Sequence, residues 1–209
     1  MRSHHSQKLA LNYTQIDETT APENILKLEA KGQQLAVSIL VAKLSLLANH
    51  NDPAQFFALN SLHLRAFTEP IVQQAGWVVS MFGNSLIAIF GILHSSENYA
   101  LQALRAAESM LNTLNTINQN SSATTLHLGI GLTSGTVLAG FVESGRRKVF
   151  TAIGEEVDLA QLLARQAHSQ EIFLDRNTFE QLKIPLQYTP VNLNGLGVIS
   201  DILVIKYDK

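Results

Sequence analysis

No cysteine occurs among the 209 residues. Disulfides, thiolate nucleophiles, iron–sulfur clusters and cysteine-bound zinc are therefore excluded, and a reducing, cytoplasmic setting fits. Charge is scarce. Asp, Glu, Lys and Arg make up 15% of the chain against 46% hydrophobic residues, where about 25% charged is usual. That balance argues against long disordered tracts and supports a buried core. A basic excess is missing too: 15 Lys and Arg face 17 Asp and Glu, for a net charge of −2. Phosphate neutralisation needs a basic face, so a nucleic-acid partner is not expected. Long apolar runs are absent. The longest, Leu35–Ala42 and Leu86–Leu93, have eight residues each, whereas a spanning helix needs about 20. With no signal-peptide apolar segment at the start, no membrane insertion by this chain is expected.

What is present reads as one domain with an appendage. Residues 1–33 form an arm or linker with a short helix in Glu23–Gln34, and the opening Met-Arg-Ser-His-His has the look of a cloning remnant. Residues 34–209 form the domain. Leu35–Ala42 is a short apolar run rich in β-branched residues, which suits a buried strand. Asn51-Asp52-Pro53 predicts a helix start with Asp as N-cap and Pro at the first helical position. Helical spacing from Phe56 runs to about Ala75, with a kink at Pro70. Trp77–Phe82 and Leu86–Phe90 predict a hairpin around Gly83-Asn84-Ser85.

Ser95-Ser96-Glu97 opens a long helix whose stripe is Leu101, Leu104, Ala107, Met110, Leu111 and Leu114, ending at Asn118–Ser122. Thr125–Leu132 and Thr136–Val142 are predicted as two strands around Ser134-Gly135, followed by a charged hairpin tip at Glu143–Lys148 and a strand at Val149–Ile153. A helix over Glu155–Ala167, strands at Glu171–Leu174 and Leu186–Tyr188 around a helix at Arg176–Leu182, and a last strand at Asp201–Tyr207 complete the reading. Hairpins interrupt the strand–helix alternation. The fold class is therefore α+β, with a mixed, mostly antiparallel sheet and helices packed on it.

Three stretches in this order resemble the class III adenylate/guanylate cyclase catalytic domain. The first is Phe82-Gly83-Asn84-Ser85-Leu86-Ile87-Ala88-Ile89-Phe90-Gly91 with the alanine-rich Ala100–Met110 behind it. The second is Leu128-Gly129-Ile130-Gly131-Leu132-Thr133-Ser134-Gly135, with Ala139-Gly140 following. The third is Phe150-Thr151-Ala152-Ile153-Gly154-Glu155-Glu156-Val157-Asp158-Leu159-Ala160. The resemblance covers roughly Leu35 to Tyr207 and implies that family's ferredoxin-like fold.

Carried over residue by residue, the resemblance implies that the chemistry is missing. The family holds two divalent ions on two carboxylates, and the ions assist attack of a ribose hydroxyl on the α-phosphate. Lys43 stands at one carboxylate position and Asn84 at the other. Ser80 stands at the base-reading lysine, Asp158 at the transition-state asparagine, Leu162 at the arginine one turn later, and Asn194 at the phosphate-binding lysine. Thr151, at the second base-reading position, keeps the pattern of many bacterial members as a residual nucleotide contact. The family's site lies between two chains, and neither half-set is complete here. The resemblance implies a degenerate member that dimerises, with itself or with another cyclase-like or signalling domain, as a regulatory module in bacterial-type signalling. It is read with no catalytic residue, no metal and no cofactor, and with a cleft partly closed by Leu162. The alternatives are a working cyclase with an unusual site or a required partner, using Mg²⁺ or Mn²⁺, and a metal-independent anion or nucleotide sensor.

Each feature also has a plainer explanation. Lys43 reads as a cation for an anion, as a lysine reaching the surface, or as a partner of Glu155 or Glu156. Asn84 suits a turn because Asn tolerates positive φ. Glu155, Glu156 and Asp158 sit where acids favour a helix dipole. Arg146-Arg147-Lys148 reads as a solvated tip. Gly129-Ile130-Gly131 has the wrong spacing for a dinucleotide fingerprint. The seven His residues show no metal-ligand spacing, and no Ser sits in a nucleophile elbow.

Overall fold

The computed structural model describes residues 32–46, 53–93, 98–120, 125–144, 147–193 and 201–207. The expected arm, the N-cap at Asp52, the Ser95–Glu97 helix opening and Asn194 lie outside them, apart from Gly32 and Gln33.

The first apolar run is the centre of a longer strand, β1 (Gln33–Leu46). Alternation decides where it packs. Val37, Ile39 and Val41 are buried in one cluster, and Leu40, Ala42 and Leu44 in another. Both faces are covered, so the run reads as continuous apolar rather than alternating. The following helical region is two helices, α1 (Pro53–Ala66) and α2 (Thr68–Gln73). The break falls at Phe67 rather than at Pro70. Pro70 lacks an N–H and its ring clashes with the carbonyl four residues back, which is that of Ala66, so α1 ends there and Pro70 sits in the first turn of α2.

The predicted hairpin is β2 (Trp77–Phe82) and β3 (Ser85–Phe90). Gly83 takes the positive φ of +59° and Asn84 does not, so the left-handed position belongs to the glycine. The long helix is α3 (Tyr99–Asn120), whose buried stripe runs from Ala100 through Ala103, Ala107 and Met110 to Leu114. Asn118 closes its end. Its side chain donates to the Leu126 carbonyl at 2.9 Å and accepts from the Leu126 amide at 2.8 Å.

The two strands expected around Ser134-Gly135 are one, β4 (Leu126–Ser144). Gly135 is not a turn residue. A Cβ there would lie 2.1 Å from the Glu156 carboxylate oxygen. Ser134 is pinned by its neighbours: its hydroxyl meets that of Ser38 at 2.6 Å, and its carbonyl accepts from the Asn177 side chain. Then come β5 (Arg147–Ile153), α4 (Glu155–Gln166), β6 (Glu171–Asp175) and α5 (Arg176–Leu182). The strand expected at Leu186–Tyr188 is absent. That stretch packs by side chains, with Tyr188 edge-on to Phe179 at 4.7 Å, and the edge strand is β7 (Thr189–Val191) beside β8 (Ile202–Lys206). Pro190 suits an edge, where a missing N–H costs no ladder bond.

The sheet order is β2-β3-β1-β4-β6-β8-β7, with β5 on the far half of β4. Among the described strand pairs, only β4–β6 is parallel. The β1-to-β4 portion has the ferredoxin-like βαββαβ arrangement. The larger core joins one sheet face to α1, α2, α3 and α5, and the smaller core joins the other to α4. Among the described residues, no helix is long and apolar enough to cross a membrane.

Candidate functional site

The site lies on the α4 face of the sheet, and glycines bring that helix in. At Gly129 a Cβ would stand 2.3 Å from the Ala164 carbonyl oxygen, and at Gly131 2.2 Å from that of Ala160. Only a bare backbone lets the helix seat this deeply on β4. Thr133 adds a fixed point by donating its hydroxyl to the Glu156 carbonyl at 2.7 Å. Glu155, Glu156 and Asp158 occupy the first turn of α4 and Arg165 its last, which suits the helix dipole at both ends.

A bulge brings in the second wall. In the β2–β3 ladder Val78 faces Ala88, yet Ser80 faces Ile87, so Val79 is the extra residue. In an unbroken register Ser80 would oppose Leu86 and point to the α3 side. The bulge turns Ser80 and Phe82 to the α4 face instead. On the third side, β5 is anchored by Phe150, buried and edge-on to Phe141 with centroids 5.6 Å apart.

Two clefts result. The first, of about 410 Å³, has a floor of Ile39, Ile87, Ile89 and Phe150, and its polar groups are Ser80, Thr151 and Gln161. The structure thus brings together Ser80 and Thr151, the residues that the resemblance places at base-reading positions, and among the described residues no charged side chain lines this cleft. The second, of about 220 Å³, is lined by Lys43, Asn84, Ser85, Gln161 and Arg165 among others. Lys43 and Asn84 thus line one cleft. Phe82, Ile87 and Gln161 line both clefts.

Asn84 is tied into the framework. Its side-chain amide donates to the Leu44 carbonyl at 2.6 Å while the Leu44 amide donates to the Asn84 carbonyl at 2.8 Å. Lys43 pairs across the sheet with Ser85 and Gly129, and among the described residues it makes no ion pair. The pairing weighed with Glu155 or Glu156 does not form. Glu156 sits beside Gly135, six residues along β4 from Gly129, or about 20 Å at strand rise.

Asp158 is exposed and Leu162 half-buried, one turn apart on α4, and neither lines either of these two clefts. Gln161, the residue before Leu162, lines both clefts. Asn194 and Arg146 lie outside the described residues. Gln161 and Arg165 were not singled out from the sequence. The signal was their i, i+4 spacing once Val157, Ala160 and Ala164 are taken as the buried stripe.

Comparisons with known proteins agree with this architecture. The family model "Adenylate and Guanylate cyclase catalytic domain" matches residues 31–198. Adenylate cyclase 1 of Rhizobium meliloti (strain 1021) is 24% identical over 120 residues, or 56% of this chain and 18% of its own length, so the matched stretch is less than a fifth of that relative. The guanylyl cyclase Cya2 superposes with a TM-score of 0.73 at 20% identity, covering 84% of this chain and 93% of its own. The dimeric guanylyl cyclase domain of the RhoGC fusion protein from the aquatic fungus Blastocladiella emersonii gives 0.71 at 13% identity, covering 85% and 99%. These structures share the fold. With most of its length matched by the family model, the chain belongs to the adenylate and guanylate cyclase catalytic domain family.

Proposed function

We propose that the domain has kept the cyclase fold and lost turnover, and that it acts as a dimerisation or regulatory module in intracellular signalling. The observation that carries this reading is the second cleft. At the positions where the resemblance places metal-holding carboxylates stand the Lys43 ammonium and the Asn84 amide, the latter committed to the Leu44 carbonyl. Hard divalent cations need carboxylate oxygen, and an ammonium repels them. These side chains do not fit a pair of divalent ions, and among the described residues no group of three His, Asp or Glu is placed to hold one. Phosphoryl transfer rests on positioning and charge stabilisation, so losing both anchors removes the main catalytic terms.

Dimerisation is supported by apolar side chains left exposed around the site. Phe82 is 85% exposed at the hairpin tip beside the clefts, and Ile153 is 63% exposed at the end of β5. A contiguous apolar surface here would serve as a contact, and the RhoGC guanylyl cyclase domain, a relative in fold, has been solved both as a non-canonical dimer and as a monomer.

The deciding experiment is an assay of the purified chain with ATP or GTP and Mg²⁺ or Mn²⁺. No cyclic nucleotide above the blank is expected. Turnover that Thr151→Ala or Asp158→Ala abolishes would establish a working cyclase with an unusual site.

A further inference from the structure

We propose that the smaller cleft binds a compact phosphate-type oxyanion directly, without metal, between Lys43 and Arg165. The two cations come from different elements, one from β1 and one from the last turn of α4, and line the same cleft of about 220 Å³. That space is several times the ~30 Å³ share of a water molecule. Among the described residues no Asp or Glu lines it, and the acids of α4 stand at the helix's opposite end. Arg165 alone has a local reason to be there, since a cation at a helix C-terminus meets a favourable dipole. Lys43 has none, because it projects from a strand and among the described residues has no carboxylate partner. Two like charges facing one concavity raise each other's energy, and an anion between them reverses the sign of both interactions. Donors for its oxygens are at hand: a guanidinium fork, an ammonium, the Ser85 hydroxyl and the Gln161 amide. The neighbouring cleft, uncharged and apolar-floored, offers such an anion nothing comparable.

This inference uses the same cleft as the reading above but does not depend on absent turnover. The test titrates the full chain in EDTA with sodium tripolyphosphate, with inorganic phosphate and with ATP, following the melting temperature and the heat of binding against NaCl of matched ionic strength. A saturable rise in melting temperature is expected. Lys43→Gln and Arg165→Gln should each weaken binding by about tenfold, roughly the worth of one charge-assisted hydrogen bond. Lys43→Arg should retain it. Lys43→Gln should melt no lower than the parent without ligand, because it removes one of two like charges lining the cleft, whereas Arg165→Gln also gives up that charge's favourable contact with the helix dipole. ATP binding like tripolyphosphate would mean that the site reads only the phosphoryl part, and tighter ATP binding would mean that the uncharged cleft holds the nucleoside; both keep the oxyanion site. A rise no larger than NaCl gives, one that survives both glutamine changes, or one that needs Mg²⁺ overturns it. Cyclic nucleotide formation would instead overturn the inert reading and leave this site standing.

Discussion

Asn84 and Leu44 hold one another twice, once through backbone and once through the Asn84 side-chain amide, whose nitrogen lies 2.6 Å from the Leu44 carbonyl oxygen. A carboxylate at position 84 has no hydrogen to offer and would set oxygen against oxygen. The amide therefore locks the hairpin onto β1 in a way an acid cannot without a bridging cation. Asn84→Asp is expected to lower unfolding free energy by about 1–3 kcal/mol, the cost of a lost bond with an unsatisfied buried acceptor. Chemical denaturation measures it, and an unchanged midpoint would show the side-chain bond to be idle.

The seat of α4 makes a second prediction. At Gly131 the added methyl carbon of an alanine would stand 2.2 Å from the Ala160 oxygen and 2.7 Å from the Ala164 nitrogen, both backbone atoms that no rotamer change can move. Gly131→Ala should cost about 3 kcal/mol or more, the upper end of overpacking, through displacement of the helix. Gly83→Ala meets nothing within 4 Å and should cost only the backbone penalty of its φ of +59°, about 1–2 kcal/mol. Equal losses at the two sites in thermal melts would mean that the helix–strand contact is looser than described.

Asp175 supplies a pH dependence. It caps α5, accepting from the Thr178 amide at 3.2 Å and from the Thr178 hydroxyl, and it is buried. Burial pushes its carboxyl above the ordinary value, against the opposing pull of the Thr178 hydrogen bonds. A carboxyl raised in the folded state binds more protons there than in the unfolded chain. Its contribution to stability is therefore fully present below the unfolded value of about 3.9 and is lost as pH rises through the folded one. Asp175→Asn keeps the accepting oxygen without the charge. It should leave stability at pH 7 unchanged or higher and flatten this part of the pH profile. Urea midpoints across pH 4 to 7 test it, and a steeper profile in the variant would contradict the assignment.

Phe82 tests the working surface. With 85% of it exposed, Phe82→Asp should leave stability within about 0.5 kcal/mol. If the apolar rim of the clefts pairs two chains, the same change should abolish self-association in sedimentation equilibrium. A dimer that persists in the variant would place the contact elsewhere.

Much of the fold was legible because buried periodicity leaves a direct trace. The double-sided run in β1, the alanine stripe of α3, the Gly-Asn hairpin and the helix at Arg176–Leu182 all follow from local chemistry. Where the reading erred, the residue's reason lay outside its own run: in another element for Gly135 and Tyr188, and one helical turn back for Pro70. Gly135 looked like a turn but exists to admit Glu156. Pro70 looked like a kink in one helix, yet the clash it creates falls four residues earlier and makes two helices. Leu186–Tyr188 had the alternation of a strand, but its side chains are taken up by packing such as that of Tyr188 on Phe179.

The sequence by itself determined the fold class, the family resemblance and the identity of the groups at the positions where that resemblance places metal ligands, because these are written in residue type, order and spacing. Only the tertiary structure decided what those groups meet. The bulge at Val79 sets which face Ser80 occupies, the direction of α4 parts Lys43 from Glu155 and Glu156 and sets it beside Arg165, and the hairpin delivers Asn84 to Leu44. Each depends on chain segments far apart in sequence arriving within a few ångströms, and electrostatic and hydrogen-bond energies are fixed by that distance rather than by composition.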